Sequence, residues 1–208
     1  MKRIVFRFDF VSPFAYLAFE RLPEALAGIS HVVDYRPVLF AGLLSHHGQK
    51  GPAEIEPKRA WTFRHVHWIA QQHGIPMDTP AQHPFNPLSL LRLALACGPN
   101  RQVVETIFRH AWRGGADALQ PERLAALQSA LAPAADPAGD AVKALLRAHT
   151  EEAVRDGVFG VPDFEVDGRH FWGLDALPML ADALRGSTWF DGPAWDREGA
   201  PRAGVVRR

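Results

Sequence analysis

Apolar and charged positions alternate at the start of the chain, and a few residues later the period lengthens. In Met1-Lys2-Arg3-Ile4-Val5-Phe6-Arg7-Phe8-Asp9, charges interrupt a β-branched and aromatic run, which predicts a strand over Ile4 to Phe10. Over residues 13 to 27, Phe14, Leu17, Ala18, Leu22, Ala25 and Leu26 recur at helical spacing, and Gly28 closes the helix. His31 to Phe40 (HVVDYRPVLF) restores the strand pattern, with Pro37 pushing its far end to an edge or irregular position. Strand, helix and strand in succession make a βαβ unit with parallel strands.

From Ala41 to about Asp156 the strand pattern disappears and the periodicity is helical. Residues 48–57 (GQKGPAEIEP) predict an ordered, turn-rich segment, and a helix over Lys58 to His73 ends at Gly74-Ile75-Pro76. Segment 79–87 (TPAQHPFNP) reads as extended, followed by helices over 88–97, 101–113, 121–132 and 140–156. Pro121 suits a helix start, and Pro133 to Gly139 breaks the chain before the last of these. Strands return at Val161 to Asp167 and Arg169 to Trp172, joined by the hairpin turn Asp167-Gly168. Leu177, Leu180, Ala181 and Leu184 then share one face of a helix over 175–185. Trp189, Phe190 and Trp195 predict that part of the tail packs, and the final RAGVVRR reads as mobile.

The order β-α-β, helical block, β-β-α is an α/β plan. It corresponds to a thioredoxin-like fold with an all-helical insertion, the strands ordered second, first, third, fourth. Residues 1–40 and 157–208 are its two halves and 41–156 the helical insertion domain; the halves need each other because the hairpin completes the sheet against the first strand.

Where the first strand meets the first helix, Ser12 falls at the N-cap and Pro13 at the first helical position. A hydroxyl there sits at the positive end of a helix, a place that stabilises an anion. Thioredoxin-like proteins carry Cys-x-x-Cys at this turn, the first thiol acidified by the helix. Here the turn reads Ser12-Pro13-Phe14-Ala15, so a thiolate at this position has to come from a ligand.

Composition narrows the function further. Lys plus Arg (23) balances Asp plus Glu (23), so no net field favours nucleic acid or an anionic membrane. The N-terminus lacks an apolar signal-peptide core, and no stretch approaches the ~20 apolar residues of a membrane span. Cys97 is the only cysteine, which excludes an intramolecular disulfide and points to a reducing compartment, by default the cytoplasm. It sits in an apolar run (LALAC) and reads as an inert packed thiol. No metal site is expected: His65 and His67 do not share a helix face, and His46-His47 has no ligand-spaced companions.

Phe8-Asp9-Phe10-Val11-Ser12-Pro13-Phe14, the segment Gly157-Val158-Phe159-Gly160-Val161-Pro162 and Phe171-Trp172-Gly173-Leu174-Asp175 together resemble the glutathione-dependent 2-hydroxychromene-2-carboxylate isomerases. That family is kin to kappa-class glutathione transferases and DsbA-like proteins. Gly48-Gln49-Lys50-Gly51-Pro52, Lys58, Gly74-Ile75-Pro76 and Asn86 follow in the family's order. The resemblance implies glutathione as cofactor and a homodimer as the assembly. Ser12 would be the catalytic residue, hydrogen-bonded to the glutathione sulfur. A cis Pro162 would face it, and the Val161 main chain would pair with the cysteinyl part. Asp175 would meet the γ-glutamyl ammonium, while Lys58 and Gln49 would hold a carboxylate. The implied reaction is reversible thiolate addition to an unsaturated aromatic-degradation intermediate, followed by elimination. Phe14, Trp61, Trp68, Phe85 and Asn86 would line the substrate pocket, with Arg92 for the substrate carboxylate. Leu174, Ala176, His65 and Trp68 depart from the family's residues.

Alternatives stand beside this reading. Ser12 and Asp175 both suit plain helix caps, and the tryptophans suit a core. At the level of function, the alternatives are kappa-like conjugation, in which glutathione stays on the product, and a redox-dead thioredoxin-like peptide-binding module.

Overall fold

A computed structural model of the chain describes residues 1–199; the RAGVVRR segment lies outside them. The strands are β1 (Lys2–Phe8), β2 (His31–Pro37), β3 (Asp163–Val166) and β4 (Arg169–Trp172). The helices are α1 (Pro13–Ala25), α2 (Phe40–His46), α3 (Glu56–Gln72), α4 (Leu88–Cys97), α5 (Arg101–Trp112), α6 (Pro121–Leu131), α7 (Asp140–Arg155), α8 (Leu177–Leu184) and α9 (Pro193–Glu198). Single 3₁₀ turns cover Pro52–Glu54 and Leu174–Ala176.

The sheet runs β2-β1-β3-β4, as the element order predicts. β1 pairs in parallel with β2, Phe8 opposite Pro37, and antiparallel with β3, Phe6 opposite Phe164. Pro37 is tolerated because β2 is an edge strand. Asp167 and Gly168 both take positive φ (50° and 76°) in the β3–β4 turn, the geometry a two-residue hairpin needs.

Alternation along β1 decides which residues enter the core. Ile4, Phe6 and Phe8 join Tyr16, Phe19 and Phe108 in one cluster that also takes in Leu90, Val104 and Leu127, so sheet and helical block share buried surface. Phe6 stacks on Phe164 at 4.7 Å, and Phe10 meets Phe108 edge-on at 4.8 Å. Burying each such ring contributes about 1.5–3 kcal/mol. Arg7 points the other way, almost wholly buried, and its guanidinium pairs with Asp156 (2.6 Å), Glu165 (2.7 Å) and Asp163 (3.3 Å). A smaller apolar cluster of Val38, Leu43, Ala153, Val158 and Val161 brings α2 and α7 together with the loop ahead of β3.

Two boundaries differ from the hydrophobic pattern for one reason. β1 stops at Phe8 and Phe40 opens α2 instead of ending a strand. The buried Asp9 carboxylate accepts the Val11 N–H at 3.1 Å and the Phe40 N–H at 2.9 Å, drawing both segments out of the ladder.

Candidate active site

Ser12 occupies the N-cap of α1 with extended backbone (φ −87°, ψ 115°) and Pro13 directly after it. Its Oγ accepts the Ala15 N–H at 3.2 Å and its carbonyl accepts the Tyr16 N–H at 3.2 Å. The hydroxyl oxygen is thereby used as an acceptor, which leaves its hydrogen available to donate. No acidic residue lies in the first turn of α1, so nothing there offsets the positive helix end.

The turn leading into Ser12 is held along its length. The Ser12 N–H donates to the Asp9 carbonyl at 3.1 Å. Trp112 Nε1–H donates to the Phe10 carbonyl at 2.8 Å, and His83 Nε2 lies 2.8 Å from the Val11 carbonyl. Burial lifts the Asp9 pKa to about 7, against the N–H groups of Phe40 and Val11 that favour its ionised form. Burial also lowers the His83 pKa, opposing the bond to Val11, and the charge of Arg59 pushes the same way.

In front of Ser12 opens a cavity of about 650 Å³. Phe14, Phe63, Phe85 and Trp61 line it, together with Phe159, Gly160, Val161 and Trp172. Gly160 is required there, because a Cβ would fall 2.6 Å from Trp172 Nε1. α3 turns Lys58, Trp61 and His65 toward the cavity at successive turns. Lys50, Lys58 and Arg59 line it and make no ion pair among the described residues, while the lining carboxylates are Asp9 and Glu54. Glu54 Oε1 is occupied by the Gly51 N–H at 2.6 Å. A hydroxyl donor, a helix N-terminus and unpaired cations around an apolar hollow suit an anionic ligand with an apolar part.

Of the residues singled out in the sequence, Ser12, Phe14, Gln49, Lys58, Trp61, Phe85 and Val161 share this cavity. The Val161–Pro162 bond is cis, but Pro162 is buried behind the lining and its carbonyl accepts the Gly173 N–H at 2.9 Å. Trp68 lies beyond the lining, 58% exposed, stacked on His65. Asn86 is exposed and its Oδ1 accepts the N–H of Leu88, the first residue of α4, at 3.1 Å. Arg92 projects from α4, whose neighbouring leucines are buried, and Asp175 is exposed in the 3₁₀ turn; neither lines the cavity.

Sequence reasoning did not select Asp9, Arg59, His83, Phe159 or Trp172, all of which line it. Asp9, Phe159 and Trp172 lie inside the motif segments and Arg59 adjoins Lys58, so proximity was a usable signal. His83 had none: it reaches Val11 across 72 residues.

The fold and the cysteine-free turn define a thioredoxin-fold protein with Ser12 at the start of its first helix. The family model for the DSBA-like thioredoxin domain matches residues 3–185, and the chain belongs to that family. It is 28% identical over 191 residues to 2-hydroxychromene-2-carboxylate isomerase of Sphingobium xenophagum, covering 88% of this chain and 98% of that protein. It is also 28% identical to glutathione S-transferase kappa 2 of Caenorhabditis elegans, over 97% of this chain and 98% of the relative. A solved structure of 2-hydroxychromene-2-carboxylate isomerase superposes with a TM-score of 0.79 at 22% identity, covering 96% of this chain and 100% of the other. Among the described residues, no helix is long and apolar enough to cross a membrane.

Proposed function

We propose that the protein is a glutathione-dependent isomerase of an unsaturated, carboxylate-bearing aromatic intermediate, of the 2-hydroxychromene-2-carboxylate kind. The observation that carries this is the Ser12 hydroxyl: its oxygen is engaged by the Ala15 N–H and, among the described residues, it donates to no acceptor at the helix N-terminus, where it lines the cavity. The residues present fit glutathione. The Val161 main chain makes no hydrogen bond among the described residues and is free to pair with an extended peptide-like ligand. Lys58 and Gln49 are placed for a carboxylate.

When bound, glutathione supplies a soft sulfur nucleophile able to add reversibly to a conjugated double bond and so free it to rotate. Ser12 donates to the sulfur and, with the α1 N-terminus, favours its ionised form. Phe14, Phe85 and the exposed Trp61 offer apolar faces to a planar ring. Arg59, which lines the cavity as Arg92 does not, takes the role of carboxylate partner. The same reading places the protein in a reducing cytoplasm as a homodimer.

The test is calorimetric titration with glutathione, followed by mass analysis of the product. Binding and a product of unchanged mass are expected; no binding at millimolar glutathione would end the proposal. The second reading is conjugation, favoured by the relative named a kappa transferase, and it would show as a product heavier by one glutathione.

A further inference from the structure

Two donors from the helical block end on consecutive carbonyls just ahead of Ser12. Trp112, on α5, holds Phe10, and His83, in the loop between α3 and α4, holds Val11. The Val11 N–H is taken by Asp9 Oδ1, so the peptide groups on both sides of Val11 are anchored. We propose that His83 is a positioning residue for Ser12: acting as a neutral imidazole protonated on Nε2, it fixes the Val11 carbonyl and so the direction in which the Ser12 hydroxyl enters the cavity.

The geometry sets the tautomer. A ring nitrogen 2.8 Å from a carbonyl must carry the hydrogen, which leaves Nδ1 as the bare nitrogen. Nδ1 is buried with no hydrogen-bond partner among the described residues, so a second proton there would have no acceptor. The ring is caged by Phe63, edge-on at 5.0 Å, and by Trp112 at 5.5 Å. An inaccessible Nδ1 cannot take a proton from substrate, which excludes His83 as the base. Packing alone would be served as well by a phenylalanine. What only the imidazole adds in this cage is the donor aimed at Val11, one residue from the hydroxyl.

The clamp on the turn is independent of the ligand, while its effect on sulfur rests on the glutathione reading, so both are measured. His83→Phe keeps the ring and removes the donor; His83→Gln restores a donor. In the ligand-free protein, exchange of the Ser12 amide should quicken about tenfold in His83→Phe, the worth of one buried hydrogen bond, and recover in part in His83→Gln. With glutathione bound, the thiolate absorbance near 240 nm in His83→Phe should appear about half to one pH unit higher. Its kcat should fall about fivefold to tenfold with KM within about twofold, and the glutamine variant should regain most of the rate. Wild-type exchange and titration in a folded His83→Phe would overturn the proposal, as would a folded His83→Gln no better than the phenylalanine variant. If the phenylalanine variant does not fold, nitrogen-15 shifts of wild-type His83 decide: the Nε2–H tautomer from pH 6 to 8 supports the clamp and the Nδ1–H tautomer overturns it. A wild type that binds no glutathione defeats the functional reading and leaves the exchange result standing.

Discussion

The Asp9 carboxylate accepts the Phe40 N–H at 2.9 Å while wholly buried, so the end of β1 and the start of α2 depend on one ionisable group. Its pKa of about 7 lies above the ~3.9 of an unfolded aspartate, so the unfolded chain releases this proton first as pH rises. Between about pH 4 and pH 7 the folded state therefore holds more protons, and the Asp9 contribution to stability falls with rising pH. The loss amounts to about 4 kcal/mol across that window, from about three pKa units at 1.36 kcal/mol each. Asp9→Asn cannot titrate, and its stability relative to wild type should rise from pH 4.5 to pH 7.5 in urea unfolding. Parallel pH profiles for the two proteins would rule this titration out.

Ser12→Ala removes a helix cap and the proposed sulfur donor together, and the two effects separate by measurement. Loss of the cap should cost about 1 kcal/mol in thermal unfolding, leaving the fold intact. Loss of a donor aimed at developing negative charge should lower kcat about 10²-fold. A rate like that of wild type would take Ser12 out of the mechanism.

Arg59 and Arg92 make opposite predictions. Arg59→Ala should raise KM for a carboxylate substrate about tenfold or more, the worth of a charge-assisted hydrogen bond, whereas Arg92→Ala should leave KM unchanged. Steady-state kinetics on both variants decide between them, and the reverse pattern would return the carboxylate to α4.

Arg7, with 1% of its side chain exposed, pairs with Asp156, Asp163 and Glu165. Arg7→Ala takes the shared cation from these carboxylates, leaving the buried Asp163 with His170 at 3.1 Å as its neighbour. The variant should lose about 3–5 kcal/mol in denaturant unfolding, far more than an exposed ion pair is worth. A loss below about 1 kcal/mol would show that water or rearranged carboxylates already meet the need.

Much of the architecture was legible because each element carries its own period. α4 spans Leu88–Cys97 as the leucine spacing predicts, and the Asp167-Gly168 turn joins β3 to β4. The short helices α2 and α9 were not separately visible: Phe40–His46 continues an apolar run, and its start is set by a hydrogen bond from Phe40 to a carboxylate far away in sequence. The site divided in the same way. Ser12, Lys58 and Val161 line the cavity as the resemblance implies, while Trp68 and Arg92 do not, because a resemblance in residue order does not say which way a helix turns its side chains.

What the sequence by itself determined is the order of strands and helices and the presence of a serine where a redox thiol would stand, since these follow from local periodicity and from residue identity. Only the tertiary structure decided what surrounds that serine. Hydrogen bonds from Trp112 to Phe10 and from His83 to Val11 join segments 102 and 72 residues apart, and whether a buried polar group finds its partner depends on three-dimensional packing that no local pattern encodes.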